Sequence, residues 1–168
     1  ATDPDSDRVG IAVKHGGEFR LMSGNDVGAL LLNYLLERKT ALGTLPKNPV
    51  AVKTIVSTNL VNAIAADYGC ELKEVLTGFK FIGEQVLLLE QKNEEERFIF
   101  GFEESYGYLA GGYVRDKDAV VGSMLICEMC CYYKSKGMTL IEVLDSLYKK
   151  YGYFYSCQRS ITCEGQDG

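Results

Sequence analysis

The apolar and polar positions of the 168-residue chain follow a helical and a strand-like period in alternation. Apolar side chains at helical spacing predict an amphipathic helix from about residue 25, and they are Val27, Leu30, Leu31, Tyr34 and Leu35. Further helices are predicted at residues 59–68, 80–91, 118–133 and 140–152. Short apolar runs predict strands at residues 9–13, 19–22, 50–56, 72–76 and 97–102, with one more strand and a turn after residue 152.

Strands that alternate with helices favour a layered α/β domain over residues 23–152, preceded by a hairpin within residues 1–22. The run at 50–56 is apolar at nearly every position, which predicts a strand covered on both faces. Lys53 interrupts this run, and a lysine at such a position reaches the end of the strand or meets an anion. A loop rich in Gly and Tyr is predicted from the end of strand 97–102 to residue 113.

Composition and charge narrow the function classes. Hydrophobic residues make up 46% of the chain and charged residues 24%, which is typical of a globular protein and not of a disordered tail. A net charge of −5 argues against a nucleic-acid partner bound through phosphate neutralisation, although a locally basic site can still bind a small anion. The longest apolar runs are too short to span a bilayer, so no membrane partner is expected.

The cysteines form a candidate metal cluster on a predicted helix, in the run CEMCC that contains Cys127, Cys130 and Cys131. A structural zinc site needs four ligands, whereas the chain has no second CxxC pair and His15 is its single histidine. We therefore predict buried, reduced helix cysteines and a reducing, cytoplasmic compartment.

The opening run DPDSDR carries the first candidate chemistry. Asp3, Asp5 and Asp7 alternate with other residues, and carboxylates so placed on a turn can converge on one hard divalent cation such as Mg²⁺. An EF-hand is excluded because its sixth and twelfth loop positions, which need Gly and Glu, hold Arg8 and Lys14. Arg8 would add a forked donor for a phosphate. A solvated acidic turn is the alternative.

Two later runs carry further candidates. GFEESYG, at residues 101–107, follows a strand, and its Glu103, Glu104 and Ser105 can hold the hydroxyls of a sugar. TGFKFIG, at residues 77–83, places Lys80 between two phenylalanines, where desolvation would lower its pKa and suit it to proton transfer or phosphate binding. A surface turn and a solvated lysine are the respective alternatives.

The order DPDSDR, VKTIVST, TGFKFIG, GFEESYG and RDKDAV resembles the α-D-phosphohexomutase family, in its phosphoglucomutase branch, over nearly the whole chain. The resemblance implies a four-domain enzyme that interconverts sugar 1- and 6-phosphates through a phosphoserine, Mg²⁺ and a bound glucose 1,6-bisphosphate intermediate. Residues 23–152 would then be the third domain, with a mixed sheet flanked by helices. Residues 1–22 would end the second domain, and residues 153–168 would lead into the fourth.

Position by position, the resemblance implies a metal site, catalytic groups and substrate contacts. It places the Mg²⁺ ligands at Asp3, Asp5 and Asp7, and the active-site arginine at Arg8. It places the proposed general base at Lys80. The implied substrate-binding residues are Glu103, Ser105, Lys53, Arg115 and Lys117. Where some phosphomannomutase-type relatives have a histidine after the TG pair, Phe79 stands here, which favours the phosphoglucomutase branch and leaves the general base open.

Two family segments have no counterpart in this sequence: the TASHNP-like segment that carries the phosphoserine, and the phosphate-binding loop of the fourth domain. The resemblance therefore implies a piece of a larger protein whose remaining domains are its partners, and the piece alone is expected to be inactive. Two alternatives stay open. One is a phosphomannomutase or phosphopentomutase of the same family, and the other is a non-catalytic module that binds Mg²⁺ or a phosphosugar.

Overall fold

A computed structural model describes residues 1–157, which begin with a loop and a two-stranded hairpin. β1 (Ile11–His15) and β2 (Glu18–Met22) pair antiparallel, as the sequence predicts. Gly16 and Gly17 form the turn with φ angles of 60° and 89°, which glycine adopts without a steric penalty.

The main sheet has four strands in the spatial order β4-β3-β5-β6. They are β3 (Val50–Thr54), β4 (Glu71–Val75), β5 (Phe98–Glu103) and β6 (Gly107–Leu109). β4 and β5 run parallel to β3 on either side of it, whereas β6 runs antiparallel to β5. The predicted mixed sheet is therefore confirmed, and so is the burial of β3 over its five residues. The predicted strand over residues 50–56 is too long, because Ile55 and Val56 lie in the turn after β3 and are exposed.

The sequence prediction missed β6, because residues 107–109 lie inside the predicted Gly- and Tyr-rich loop. A strand of three residues with a glycine has little intrinsic preference for extended structure. The free edge of β5 supplies its hydrogen bonds instead, with Phe102 opposite Tyr108. Tyr106, with a φ of 69°, makes the tight reversal between the two strands.

Five helices cover the sheet, close to their predicted positions. They are α1 (Gly24–Ala41), α2 (Leu60–Asp67), α3 (Phe79–Glu90), α4 (Ala119–Ser135) and α5 (Leu140–Tyr151). The Ser23 hydroxyl accepts from the Asp26 amide, and the Asp26 carboxylate accepts from the Ser23 amide, so a capping box begins α1. Asp118 caps α4 as predicted, by accepting from two backbone amides of its first turn.

The core lies on both faces of the sheet. α3 packs against one face with Val50 and Val52, and the larger cluster on the other face is built around α1. α1 is buried on nearly every side from Val27 to Leu36, beyond the single buried face that its spacing predicts. The reason is that β5, α2, α4 and α5 all contact it.

Two predictions about local structure are wrong. The strand predicted after residue 152 is not found in residues 153–157, which follow the end of α5 at Gly152 and line a cleft without pairing to the sheet. The rest of the predicted strand and its turn lie outside the described residues. Cys127 and Cys131 are exposed and Cys130 is half-buried, because α4 turns other residues to the core. None of the helices within residues 1–157 is long and apolar enough to cross a membrane.

Candidate active-site cleft

The three aspartates of the first loop converge. One carboxylate oxygen from each of Asp3, Asp5 and Asp7 lies within 4.8 Å of the other two. The loop closes on Asp3, whose Oδ1 accepts from the backbone amides of Asp7 at 3.2 Å and Arg8 at 3.1 Å. The Arg8 amide is the main reason that the pKa of Asp3 lies well below its ordinary value, and the Arg8 guanidinium, 2.8 Å from Oδ2, acts in the same direction.

The aspartate loop has the properties of a cation site. Asp7 Oδ1 is buried without a hydrogen-bond partner among residues 1–157, and Arg8 Nε stands 3.5 Å away from it. A buried carboxylate oxygen without a donor is costly unless a cation supplies the missing interaction. Hard divalent cations prefer carboxylate oxygens, so the donor set fits the Mg²⁺ that the sequence predicts.

Backbone hydrogen bonds join the aspartate loop to the sheet. The Val9 amide donates to the Tyr106 carbonyl at 3.1 Å, and Arg8 forms an isolated bridge with Gly107 at the start of β6. On the other side, the Ala119 amide at the start of α4 donates to the Ser6 carbonyl at 3.2 Å. The loop is therefore held against the very segment that contains the GFEESYG run.

An open cleft of about 1130 Å³ lies at the carboxyl ends of β3 and β5, where α/β proteins commonly bind ligands. Its charged lining groups are Arg8 and Glu104, and neutral hydrogen-bonding side chains dominate the rest. The polar lining residues are Ser23, Asn25, Ser57, Thr58, Asn59, Thr77, Ser105 and Ser156, and the apolar and aromatic ones include Ile55, Val56, Tyr106, Tyr153, Phe154 and Tyr155.

The GFEESYG run presents its residues in different directions. Glu104 and Ser105 line the cleft, and Glu104 Oε2 accepts from the Thr54 hydroxyl at 3.1 Å. Glu103 is only 7% exposed and lies below the cleft surface, where burial raises its pKa above the ordinary value. A hydrogen bond from Ser105 and the charge of Lys117 oppose that rise.

Lys53 and Lys117, two of the predicted substrate ligands, are engaged inside the protein. Lys53 is 0% exposed, and it meets an anion as the sequence predicts, since Nζ lies 3.5 Å from Glu74 Oε1. Lys117 Nζ contacts Asp7 Oδ2 at 3.1 Å and Asp116 Oδ1 at 2.9 Å. Neither lysine is among the residues that line the cleft.

Lys80 and Arg115 lie outside the cleft lining. Lys80 is exposed on the first turn of α3 with its ammonium 5.0 Å from the Phe81 ring centre, so of the two alternatives from the sequence the solvated lysine fits the structure and the desolvated one does not. Arg115 pairs with Glu90 and donates to the Gly112 carbonyl. The roles of Lys80 in proton transfer and of Arg115 in substrate binding stay predictions.

The cleft also contains residues that sequence reasoning did not single out. They are the polar run Ser57, Thr58 and Asn59 after β3, whereas Glu104, which the sequence offers as a sugar-holding acceptor, does line the cleft. A signal for the polar run was available, because polar residues directly after a buried strand of a parallel sheet commonly face a ligand. Arg8 and Ser105 are the predicted site residues that the structure brings to the cleft together.

Comparison with known proteins agrees with this architecture. The family model described as phosphoglucomutase/phosphomannomutase, alpha/beta/alpha domain III, matches residues 23–151. A phosphoglucomutase of Staphylococcus aureus (strain MRSA252) is 40% identical over 169 aligned residues, which cover 100% of this chain and 29% of the relative. The chain thus spans less than a third of the length of that relative.

Solved structures share the fold. A Thermus thermophilus protein assigned as a phosphomannomutase superposes with a TM-score of 0.69 at 26% identity, over 90% of this chain and 30% of its own. Aspergillus fumigatus N-acetylphosphoglucosamine mutase, in complex with GlcNAc-6P and magnesium, superposes with a TM-score of 0.57 at 17% identity, over 89% of this chain and 34% of its own. The second likeness bears on the fold alone. The chain belongs to the phosphoglucomutase/phosphomannomutase family, and its residues 23–151 are an alpha/beta/alpha domain III of that family.

Proposed function

We propose that this chain is the metal loop and third domain of a phosphoglucomutase that interconverts glucose 1-phosphate and glucose 6-phosphate. The observation that carries the proposal is the position of Arg8, which lines the cleft and also donates to Asp3 of the aspartate loop at 2.8 Å. One guanidinium therefore connects the candidate cation site with the candidate sugar site. The 40% identity to a phosphoglucomutase favours glucose phosphates over other phosphosugars.

The cleft lining suits a sugar phosphate. Hydroxyl and amide side chains such as Ser57, Thr58 and Asn59 can exchange hydrogen bonds with sugar hydroxyls, and Ser105 belongs to the same lining. Arg8 is the cationic side chain of that lining, and its fork can hold a phosphate by two parallel hydrogen bonds. A site whose sugar contacts are mostly neutral can accept a bisphosphate in either orientation, as exchange between positions 1 and 6 requires.

Asp3, Asp5 and Asp7 would hold the Mg²⁺ that the family uses, and Asp7 Oδ1, which is buried and accepts no hydrogen bond among residues 1–157, supports this assignment. When bound, Mg²⁺ supplies positive charge that neutralises the oxygens of a transferring phosphoryl group. Arg8 donates to Asp3 through Nε, and its remaining donors would be available for the phosphate.

The other proposed roles follow from the family resemblance. Glu103 and Ser105 are proposed to contact the sugar, Arg115 and Lys117 to bind the substrate, and Lys80 to take the hydroxyl proton. Lys53, for which the resemblance also implies a substrate contact, is 0% exposed, so its proposed place is behind the cleft wall. The rest of the enzyme, including its phosphoserine and the bound glucose 1,6-bisphosphate, is proposed to come from segments outside this chain. Within that proposal residues 1–22 end the second domain and residues 153–168 lead to the fourth.

A coupled mutase assay on the whole protein that carries this chain tests the proposal. Glucose 1-phosphate and mannose 1-phosphate would be compared, each with Mg²⁺ and glucose 1,6-bisphosphate, for the natural protein and Ser105→Ala. Ser135→Ala is the matched control, because Ser135 ends α4 and donates to the Tyr132 carbonyl away from the cleft. We expect turnover that prefers glucose, a sharp loss in Ser105→Ala and none in Ser135→Ala. A preference for mannose, or turnover of neither sugar, would overturn the assignment.

A further inference from the structure

Lys53 lies at the centre of a buried polar network beneath the cleft. Its side chain is 0% exposed near the carboxyl end of β3, and Nζ has three acceptors around it. It donates to the Ser57 carbonyl at 3.1 Å and to Asn59 Oδ1 at 2.8 Å, and Glu74 Oε1 lies 3.5 Å away. Two N–H groups of the ammonium are therefore hydrogen-bonded, the Glu74 carboxylate lies at ion-pair distance, and the side chain has no exposed surface through which it could reach a ligand.

The acceptors place Lys53 under the turn that follows β3. Residues 55–59 form this turn, which we name the β3 turn, and all five of these residues contribute to the cleft lining. The main chain of the β3 turn also has other hydrogen bonds. The Ile55 amide donates to the Val75 carbonyl at 2.8 Å. The Ser57 amide donates to the Thr54 carbonyl at 3.0 Å, and the Thr58 amide donates to Asn25 Oδ1 at 2.9 Å.

Thr54, the neighbour of Lys53, extends the network to the GFEESYG run. Its Oγ1 lies 2.8 Å from Ser57 Oγ and donates to Glu104 Oε2 at 3.1 Å. Thr54 and Ser57 are themselves buried. These hydrogen bonds link three segments of the cleft lining below the surface. They are the β3 turn, the GFEESYG run through Glu104, and the first turn of α1 through Asn25.

We propose that Lys53 is a positioning residue that fixes the β3 turn as one wall of the cleft and does not contact the bound ligand. Burying an ammonium is costly, and such a charge persists where acceptors surround it. Burial lowers the pKa of Lys53, whereas the charge of Glu74 opposes that change. The inference rests on the proposed function only for the identity of the ligand.

Amide hydrogen exchange followed by ¹⁵N NMR on this chain tests the inference, with Lys53→Met as the variant. Loss of charge-assisted hydrogen bonds is expected to speed exchange of the Ser57 and Thr58 amides by about tenfold or more. The amide of Phe100 in β5 reports on the stability of the whole sheet and serves as the internal reference. Lys73→Met is the matched control, because Lys73 lies opposite Val52 on the neighbouring strand with a partly exposed side chain.

Two outcomes of this comparison decide the inference. Faster exchange in the β3 turn relative to Phe100, seen in Lys53→Met and not in Lys73→Met, supports it, whereas equal acceleration at all three amides overturns it. If Lys53→Met does not fold, Asn59→Ala removes one acceptor from the exposed side. Faster exchange at Ser57 in that variant supports the inference, and unchanged exchange overturns it.

A titration of the natural chain with glucose 1-phosphate separates positioning from direct binding. The positioning role predicts shifts at the amides of Ser105 and Thr58 while the ¹⁵Nζ resonance of Lys53 stays unchanged. A large shift of that resonance overturns the inference. If no resonance of the chain shifts, the proposed sugar site fails on this fragment, whereas the exchange comparison still decides the role of Lys53.

Discussion

Lys117 Nζ lies 3.1 Å from Asp7 Oδ2, so the segment ahead of α4 places a cation beside the aspartate loop. The side chain of Lys117 is 14% exposed. Although burial acts to lower its pKa, the contacts with Asp116 and Asp7 leave that pKa above the ordinary value. In the structure, Lys117 and Arg8 together offset part of the repulsion among the three carboxylates.

Removing this cation is expected to strengthen divalent-cation binding. In Lys117→Met the ammonium no longer repels an ion on Asp7, and we expect the affinity of the chain for Mg²⁺ to rise by about fivefold or more. Calorimetric titration with Mg²⁺ measures the change. Lys14→Met, on the exposed side of β1, is the control that removes one positive charge away from the loop. An unchanged or weaker affinity in Lys117→Met would show that Lys117 supports the ion and does not compete with it.

Asp5 tests the metal assignment itself, because it is exposed and has the least structural role of the three aspartates. For the natural chain at a Mg²⁺ concentration of ten times the dissociation constant, we expect the melting temperature to rise by roughly 3–6 °C. Asp5→Asn is expected to reduce that rise to below about 1 °C, since one anionic ligand is lost. Thermal unfolding of the natural chain and of Asp5→Asn, each in Mg²⁺ and in EDTA, measures the two changes in melting temperature. An equal rise in both proteins would remove Asp5 from the site.

The contact between α1 and β5 depends on the absence of a side chain at residue 28. A Cβ built on Gly28 would lie 2.2 Å from the Phe102 ring. Gly28→Ala is therefore expected to lower the free energy of unfolding by about 1–3 kcal/mol, despite the better helix propensity of alanine. At Gly10 the nearest atom, in the Tyr106 ring, would be 4.0 Å away, so Gly10→Ala is the control. Urea denaturation measures the free energy of unfolding of both variants. Equal stability of Gly28→Ala and Gly10→Ala would contradict the packing described for α1.

The stability of the α1–α4 contact is expected to depend on pH through Glu37. Burial acts to raise the pKa of Glu37, but hydrogen bonds from Tyr132, Lys136 and Tyr133 hold it below its ordinary value of 4.5. A carboxylate with a depressed pKa stabilises the fold above pH 4.5, and this contribution disappears as the pH falls through the folded-state pKa.

Glu37→Gln measures that contribution. We expect the variant to be less stable than the natural chain by about 1 kcal/mol at pH 7, with a smaller difference at pH 3.5. Glu84→Gln, at an exposed position of α3, controls for the loss of one negative charge. Urea denaturation at the two pH values gives the four stabilities. A difference that grows on acidification would mean that the bonds to Glu37 do not require its charge.

Most of the fold could be predicted because its signals are local. The helical spacing of α1, the cap at Asp118 and the continuous apolar run of β3 each lie within one segment, and the structure confirms them. β6 could not be predicted, since its strand character comes from the edge of β5 and not from its own three residues. The all-round burial of α1 likewise depends on elements distant in sequence.

The candidate site could be predicted only in part, for a related reason. Sequence spacing indicated that the three aspartates converge, because they lie within one short loop. The direction of an isolated side chain depends on partners elsewhere in the chain. Arg115 turns to Glu90, and Lys53 is enclosed by groups from the β3 turn and β4. Glu104 faces the cleft because Thr54 holds it, and nothing in GFEESYG alone separates its role from that of Glu103.

The bridge between Arg8 and Gly107, together with the hydrogen bond from the Val9 amide to the Tyr106 carbonyl, is made by main-chain atoms. Main-chain bonds of this kind do not depend on which side chains the two segments carry. The spacing between the aspartate loop and the GFEESYG run is therefore set by the backbone. Substitutions of side chains in either segment can change its chemistry while the distance between the two segments stays the same.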